Sequence, residues 1–336
     1  MPKPKVLLLC GGQSEEHDVS LASARSVVAA AGEQFEVQAL VISKTGQLLS
    51  AENSQKALTS GSSEELSSSQ TLQTLDSSFD VVFPLLHGPL GEDGSLQGML
   101  KLMGLPFVGS DVLASAVGMD KLMMKAVFAQ QGLPQVPYRG VERVRWRTEP
   151  DAVLSDLSDL SYPKFVKPAN LGSSVGIGKA TDEASLRAAL DEAARHDRRI
   201  IVEQGLQNPR ELEVAILGND APKASVVGEI SFDSDFYDYD AKYTEGLAEL
   251  IIPADIPDIT AQQIQALGKK AFAAVDAAGL ARVDFFLTAG GELYLNEINT
   301  MPGFTVTSMY PKLWAASGVN YAALIERLVA LALEER

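Results

Sequence analysis

Four polar side chains in one short segment are of the types that handle phosphates: Arg282, Asp284, Glu297 and Asn299. Carboxylate and amide oxygens are the ligands that Mg²⁺ prefers, and Mg²⁺ usually keeps positions open for water and substrate phosphates. An arginine adds a positive charge and a planar fork of N–H donors that matches carboxylate and phosphate oxygens. If these side chains share one face, they predict a magnesium site in a nucleotide-handling enzyme. The alternative is a solvated face without function.

A β-hairpin is the element that would bring the four side chains together. The runs Ala281–Thr288 and Glu292–Ile298 are rich in β-branched and aromatic residues, which favour strands. Gly290-Gly291 lies between them and predicts a two-residue loop, because glycine accepts the positive φ angles of that turn.

The predicted loop sets the register of the two strands. It places Asp284 opposite Glu297 and Arg282 opposite Asn299. Residues two apart on a strand share a face, so all four side chains project to one side. Facing carboxylates repel each other, and a cation is therefore expected between them.

Length, composition and charge limit the class of protein. A chain of 336 residues that is 46% apolar suggests two or three domains with buried cores. The net charge of −16 argues against binding to nucleic acid or an anionic membrane. One cysteine, Cys10, and three histidines argue against a disulfide or a zinc cluster, and Cys10 is expected to be buried. The short N-terminal apolar run predicts neither a signal peptide nor a membrane span, so we expect a cytoplasmic protein.

The first hundred residues predict a parallel sheet. The order is strand Lys5–Cys10, a polar turn, helix Asp18–Ala31 and strand Glu36–Ile42. Functional groups collect at the carboxyl ends of such strands, where Glu16 lies. Further along, the pattern predicts strand Phe79–Pro84, helix Gly94–Met103 and a short strand, Leu105–Val108. His87 follows the first of these strands.

The middle of the chain supplies candidate phosphate contacts. One long helix, Ser110–Gln131, is predicted to carry Lys121. A strand, Tyr162–Pro168, ends at Lys167 and runs into a Gly- and Ser-rich turn whose N–H groups could surround phosphate oxygens. Such turns are often plain loops, so this interpretation needs the other residues of the site.

Two long polar segments differ in their expected roles. Thr59–Ser78 is rich in serine and is expected to be a surface excursion without chemistry. Asp233–Leu250 contains several tyrosines and a lysine, and a long loop of this kind favours a functional lid.

Several motifs together resemble the D-alanine–D-alanine ligases of the ATP-grasp superfamily over nearly the whole chain. They are GGQSEEHDVS, LLHGPLGEDG, MDKLMMK, KPANLGSSVGIGK, FYDYDAKY, ARVDFFL and LNEINTMPGFTVTSMYPK. The resemblance implies a mixed α/β (α+β) protein: an ATP-grasp fold behind an N-terminal parallel-sheet, or pre-ATP-grasp, domain. The expected division is 1–109, 110–207 and 208–336, with the lid and metal site in the last part.

The family resemblance also implies a reaction and its cofactors. ATP phosphorylates the carboxylate of one D-alanine, and the amine of a second attacks the acyl phosphate, for synthesis of cell-wall peptidoglycan precursors. Two Mg²⁺ ions, or Mn²⁺ in their place, would be held by Asp284, Glu297 and Asn299. The implied partners are small molecules only, D-alanine and ATP, and the implied assembly is a homodimer.

By the same resemblance, a set of residues binds ATP: Lys121 and Lys167, Ser173, Ser174 and Val175 of the Gly-rich turn, and Lys242 of the lid at the phosphates; Glu203, Leu206 and Phe286 at adenine; Glu211 at the ribose; and Asn296 and Glu297 beside the phosphates. Leu171 stands where some relatives carry an acidic residue, so the contact made by that acidic side chain is expected to be missing here.

The residues implied at the two D-alanines form a second set: Glu16 at the first ammonium, His87 nearby, Arg282 and the Gly303 N–H at the oxyanion, Ser308 and the Met309 N–H at the second carboxylate, and Tyr243 and Ser173 closing the lid with Glu16. No side chain is an obvious general base for the incoming amine.

Two alternatives stay open. The second substrate could be D-lactate, D-serine or another small acid, although Lys242-Tyr243 resembles the dipeptide-forming members of the family. A non-catalytic ATP sensor on the same fold is the other alternative. Its opposing evidence is the presence of Arg282, Ser173, Tyr243 and Glu16, because a sensor has no use for an oxyanion group.

Overall fold

Three β-sheets follow one another along the chain, the first parallel and the other two antiparallel. The structure, a computed structural model, describes residues 3–31, 35–64, 66, 78–172, 176–232 and 248–334. Within these residues no helix has the length and apolar character needed to cross a membrane. The mixed α/β architecture with an N-terminal parallel sheet is confirmed.

The first sheet has three strands in the order β2-β1-β3, all parallel. Its elements are β1 (Lys5–Gly11), α1 (His17–Ala30), β2 (Glu36–Ile42), α2 (Ala51–Ser60), β3 (Val81–Leu85) and α3 (Ser95–Leu102). The expected strand at 105–108 is wrong, since only Phe107 forms a bridge, to Val82. Cys10 is buried as predicted. Most of the Ser-rich segment lies outside the described residues.

The predicted long helix over 110–131 is wrong, because the chain turns at Asp120. Two helices replace it, α4 (Val112–Met119) and α5 (Lys121–Gln130). Asp120 has an extended ψ of 103°, and its side chain accepts the N–H groups of Leu122 and Met123. An aspartate that caps a helix satisfies donors that the helix leaves unpaired, so the break is locally encoded.

The central sheet is antiparallel with the order β4-β7-β5-β6. Its elements are β4 (Tyr138–Glu142), α6 (Arg143–Thr148), α7 (Pro150–Asp156), β5 (Lys164–Pro168), β6 (Gly178–Ala180), α8 (Glu183–His196) and β7 (Arg199–Gln204). Val166 and Val202 of β5 and β7 face the core with α8. The alternate residues Lys167 and Glu203 therefore project from the opposite face.

The third sheet has five antiparallel strands in the order β10-β9-β8-β11-β12. Its elements are β8 (Arg210–Gly218), β9 (Lys223–Phe232), β10 (Ala248–Ile251), α9 (Asp258–Ala274), β11 (Gly279–Leu287), β12 (Leu293–Asn299), α10 (Met309–Ala316) and α11 (Tyr321–Ala332). Residues 233–247, which hold most of the predicted lid, lie outside the described residues.

The β11–β12 hairpin has the predicted register near the site but a different loop. Asp284 pairs with Glu297 and Arg282 with Asn299, as expected. The two-residue loop is wrong: the Thr288 N–H donates to the Glu292 carbonyl, so three residues turn the chain. A bulge restores the register, because Phe285 pairs with Leu295 and the ladder skips the residue between Leu295 and Glu297.

The first and third sheets share a buried core. Phe304 follows β12 and is fully buried. Its ring lies 5.4 Å from that of Phe83 on β3, 6.0 Å from Tyr310 on α10 and 5.5 Å from Tyr321 on α11. The turn after β12 is thereby fixed against the first sheet, next to the ends of its strands.

Candidate functional site

Arg282 lies among three carboxylates on β11 of the third sheet. Its Nε and Nη2 atoms donate to Asp284 at 2.8 and 2.7 Å, and Nε also lies 3.0 Å from Glu213 Oε2. Asp284 pairs with Glu213 on β8 and with Glu297 on β12. Three adjacent strands therefore line up three carboxylates, and the guanidinium of Arg282 lies beside them.

The carboxylates keep Arg282 firmly charged. Burial of the guanidinium disfavours its charge, but Asp284, Glu213 and Glu297 raise the pKa of Arg282 well above its usual value. Sequence reasoning missed Glu213. The signal was present, because Glu211 and Glu213 are two apart on one strand and share a face.

The oxygen donors of the predicted metal site lie on one face of the ladder. Asn299 Nδ2 donates to Asp284 Oδ2 at 2.9 Å, which joins the amide to the first carboxylate, and Glu297 pairs with Asp284 from β12. Among the described residues no group of three or more His, Cys, Asp or Glu is arranged for a metal ion. Two carboxylates and an amide nevertheless form an all-oxygen set that suits a hard cation such as Mg²⁺.

A buried cluster of two lysines and one glutamate forms on the central sheet. Glu203 Oε2 lies 2.5 Å from Lys167 Nζ, and Glu203 Oε1 lies 2.8 Å from Lys125 Nζ. Lys125 projects from α5, and its Nζ lies 5.6 Å from the ring centroid of Tyr138. Lys125 is 1% exposed and Glu203 4% exposed, so both charges are almost fully removed from water.

The charges in this cluster stabilise one another. Burial raises the pKa of Glu203, but Lys125 and Lys167 outweigh it and lower the pKa to about 2. Burial likewise opposes the charge of Lys167, and Glu203, Glu297 and Glu211 raise its pKa above the usual value. The charge of Lys167 is therefore stabilised by carboxylates from both antiparallel sheets. Lys167, Glu211 and Glu297, which were predicted at the phosphates, the ribose and the metal, therefore lie near one another.

Lys121 contacts the segment that leads into the Gly-rich turn. Its N–H donates to the Ala169 carbonyl at 2.9 Å, and its Nζ donates to the Leu171 carbonyl at 2.6 Å. Ser173, Ser174 and Val175 lie outside the described residues, as do Lys242 and Tyr243. Their predicted contacts stay predictions.

Glu16 lies between two loops from different parts of the chain. A Cβ placed on Gly88 would be 2.9 Å from Glu16 Oε2, and one placed on Gly172 would be 3.4 Å from the same atom. The carboxylate therefore reaches the loop after β3 and the start of the Gly-rich turn. This is the position expected of a residue that contacts a substrate beside the phosphates.

His87 and Glu92 attach the first sheet to the turn after β12. His87 Nδ1 lies 3.1 Å from the Met301 carbonyl, and Glu92 Oε2 accepts the Gly88 N–H at 2.6 Å. Burial lowers the pKa of His87, against the effects of Glu16 and the Met301 carbonyl. Burial and Glu16 raise the pKa of Glu92 to about 8, against hydrogen bonds from Gly88 and Met301. Glu92 is a further residue that sequence reasoning missed.

Ser308 stands at the start of α10, where backbone N–H groups point outward. Its Oγ accepts the Thr305 N–H at 3.0 Å, and a Cβ on Gly303 would be 3.3 Å from that Oγ. The helix begins at Met309 and has Pro311 in its first turn. A helix N-terminus offers unpaired N–H donors and a positive dipole, which suit a carboxylate. Gly303, Ser308 and Met309 thus lie close together, and their role at the second carboxylate stays a prediction.

The predicted adenine and ribose residues lie on β8, on β11 and at or just after the end of β7. Phe286 is half-buried and pairs with Glu211 on β8 and with Tyr294 on β12. Leu206 is half-buried just after β7. Asn296 is the bulged residue beside Glu297 and has no paired position on β11. The direction of its side chain is therefore set by the bulge and not by the regular alternation of the strand.

The chain is similar to known proteins over nearly its whole length. The family model described as "D-ala D-ala ligase N-terminus" matches residues 5–110, and the one described as "D-ala D-ala ligase C-terminus" matches residues 127–330. A curated D-alanine–D-alanine ligase of Deinococcus radiodurans is 56% identical over 99% of this chain and 100% of its own length.

Solved structures are similar over the full length. The D-alanine-D-alanine ligase from Coxiella burnetii has a TM-score of 0.83 and 35% identity, with 99% of this chain and 94% of that chain covered. The VanG D-Ala:D-Ser ligase from Enterococcus faecalis has a TM-score of 0.84 and 31% identity, with 98% and 100% covered. D-alanyl-alanine synthetase A from Vibrio cholerae has a TM-score of 0.81 and 30% identity, with 99% of each chain covered.

Proposed function

The chain belongs to the D-alanine–D-alanine ligase family, and from that premise we propose how its own residues carry out the reaction. The protein is an ATP-dependent ligase with the ATP-grasp fold, and it joins two D-alanine molecules for cell-wall synthesis. The observation that carries the proposal is the buried contact of Arg282 with Asp284 beside Glu297 and Lys167. Such a cluster suits phosphoryl transfer, which depends on positioning and charge neutralisation.

The reaction has two steps. A carboxylate oxygen of the first D-alanine attacks the γ-phosphorus of ATP, the bond to the β–γ bridging oxygen breaks, and ADP leaves. The neutral amine of the second D-alanine then attacks the acyl carbon of the mixed anhydride. The tetrahedral intermediate expels phosphate, which takes the electron pair of the carbon–oxygen bond, and the nitrogen loses a proton to give the amide.

The substrate roles follow from where the side chains lie. Glu16 pairs with the ammonium of the first D-alanine, beside Gly172 and Gly88. Arg282 and the Gly303 N–H stabilise the oxyanion of the intermediate; loss of such a donor commonly costs about 2.7–4 kcal/mol. Ser308 and the Met309 N–H, at the start of α10, hold the second carboxylate.

The nucleotide lies in the cleft between the two antiparallel sheets. Lys167 and Lys121 contact its phosphates, Glu211 the ribose, and Phe286 with Leu206 the base; the positions of Lys167 and Glu211 on facing sheets support this. Asp284, Glu297 and Asn299 would hold Mg²⁺, or Mn²⁺, as an all-oxygen set. When bound, the metal neutralises charge on the phosphates.

Domain division and assembly are part of the proposal. The ranges 1–109, 110–207 and 208–336 are supported by the three sheets, each of which falls within one range. The family resemblance supports a homodimer in the cytoplasm. Light scattering after gel filtration would test the dimer, since a monomer mass would contradict it.

One further acceptor is favoured by a specific observation, the similarity to a structure named as a D-Ala:D-Ser ligase. The test is ATP-dependent phosphate release with D-alanine alone and with added D-serine or D-lactate, with products identified by mass. We expect D-alanyl-D-alanine as the main product. A dominant D-alanyl-D-serine product would assign the second candidate, and phosphate release without any condensed product would contradict both.

A further inference from the structure

The Lys125–Glu203–Lys167 cluster contains one lysine to which the proposed reaction gives no role. Lys125 is buried on α5 and ends 2.8 Å from Glu203 Oε1. The other carboxylate oxygen of Glu203 lies 2.5 Å from Lys167 Nζ. One glutamate is therefore shared between a buried lysine and the lysine that faces the nucleotide cleft.

The net charge of the cluster depends on Lys125. Two ammonium groups and one carboxylate carry one net positive charge, whereas Glu203 and Lys167 alone would be neutral. Lys167 also faces Glu297 and Glu211 across the cleft. A neutral pair beside two further carboxylates would repel the phosphates of a nucleotide.

We propose that Lys125 is a positioning residue for nucleotide binding. It pairs with one carboxylate oxygen of Glu203, so that Lys167 keeps a net positive charge towards the phosphates of the nucleotide. The inference rests on the proposed function, since it takes Lys167 as a phosphate contact. Burial makes the effect strong, because charges in a site shielded from water interact over longer distances than at a surface.

The other contact of Lys125, with the ring of Tyr138 at 5.6 Å, is one that an apolar side chain could also make. Its neighbours on the same helix, Met124 and Phe128, pack into the core of the third sheet, whereas Lys125 turns to the central sheet. Burying an ammonium is costly, and an apolar side chain of similar length would fill the same space without that cost. We attribute the buried charge of Lys125 to its pairing with Glu203, which leaves Lys167 with a net positive charge.

The test compares two ligands that differ only in their phosphates. Dissociation constants of ADP and of adenosine are measured for the full-length protein and its variants by calorimetric titration, with competition for the weaker ligand. For Lys125→Met we expect the preference for ADP over adenosine to fall by about tenfold or more, because one charge near the phosphates is lost. Lys125→Arg keeps the charge and should keep the preference.

Three further variants sharpen the test. Lys125→Met with Glu203→Gln leaves Lys167 as the charged member of the cluster and should restore much of the preference for ADP. Glu203→Gln alone leaves both lysines charged and should strengthen that preference, and Lys125→Gln, which removes the charge but keeps a polar side chain, decides the role of Lys125 if Lys125→Met does not fold. The matched control is Lys164→Met, a buried lysine on the opposite face of β5 that donates to the Leu157 carbonyl; its preference should stay unchanged.

The outcomes separate this inference from the function beneath it. An unchanged ADP preference in Lys125→Met, or an equal weakening of both ligands, would overturn the inference and leave the ligase function intact. In the Glu203→Gln arm, an unchanged preference would overturn it as well. If the unaltered protein bound no ADP, the proposed nucleotide site would fail and the inference with it.

Discussion

Arg282 donates to both carboxylate oxygens of Asp284, with Nε–Oδ1 and Nη2–Oδ2 distances of 2.8 and 2.7 Å. Asp284 also accepts a hydrogen bond from Asn299. The arginine that we assign to the oxyanion thus contacts the carboxylate that we assign to the metal. A cation bound by Asp284 would share these oxygens with the guanidinium, so the two roles are coupled through one side chain.

Replacing Arg282 by Lys keeps one charge but removes the planar fork that joins Asp284 and Glu213. We expect the dissociation constant of ATP to change little and turnover to fall by about 10²–10³-fold, the cost of losing an oxyanion donor. Calorimetric ATP titration and steady-state turnover check the two parts. Equal losses in both would make Arg282 a phosphate ligand instead.

A matched control for Arg282 is available on the neighbouring strand. Arg210 forms the same kind of two-point contact with Glu229, at 2.8 and 2.6 Å, on the face of β8 opposite to Glu211. Arg210→Lys should leave turnover within about twofold of normal. A large loss there would mean that any disturbed arginine pair in this sheet impairs the enzyme.

Replacing Glu297 by Ala removes the carboxylate opposite Asp284 and should nearly abolish turnover with the fold intact. The structural reason is that Asp284 and Asn299 alone leave a metal site with one carboxylate. Retention of more than about a tenth of normal activity, roughly 1.4 kcal/mol of barrier, would refute the metal assignment. Titration with Mn²⁺ should show weakened binding, and Glu292→Ala, an exposed position by the loop of the same hairpin, should bind and turn over normally.

The register of this hairpin was predictable from its sequence, but its loop was not. Alternation of apolar and polar residues fixes which side chains face the site, and a slip by one residue would expose Leu295 and Ile298, which are buried. The loop is three residues long, with Gly291 at a φ of +87°. The burial of the apolar side chains therefore outweighed the local preference of Gly-Gly for a two-residue turn. The bulge compensates for the extra loop residue and keeps the predicted pairing near the site.

The residues that sequence reasoning missed are those whose role depends on a tertiary neighbour. Glu213 pairs with Arg282, and Lys125 pairs with Glu203. In each pair the two residues are far apart in the sequence, so only the folded chain shows that they meet. The break at Asp120 was also missed, because an aspartate within an apolar helical pattern is read as an exposed position. Its burial against Arg199, with which it pairs, appears only in the folded chain.

The pKa of Glu92 predicts a pH dependence of stability. It is raised from 4.5 to about 8, so the unfolded chain releases this proton at lower pH than the folded one. This group therefore lowers stability progressively as pH rises from about 4.5 to about 8, by at most about 1.4 kcal/mol per pH unit. Glu92→Gln should remove that decline, and urea unfolding at pH 5, 6, 7 and 8 would measure it.

If the stability of Glu92→Gln declined with pH as steeply as that of the unaltered protein, the Glu92 carboxyl would have the pKa of a glutamate in water, and the account would be contradicted. Glu142 provides the control because it is an exposed glutamate on β4. Glu142→Gln should follow the unaltered protein at every pH.

The acyl phosphate is the central claim, and isotope transfer tests it most directly. D-alanine labelled with ¹⁸O in its carboxylate is incubated with ATP and Mg²⁺, and the released phosphate is analysed by mass spectrometry. Because the attacking carboxylate oxygen leaves with the phosphate, we predict one ¹⁸O atom in phosphate for each D-alanyl-D-alanine formed. Dipeptide formed with unlabelled phosphate would contradict the account.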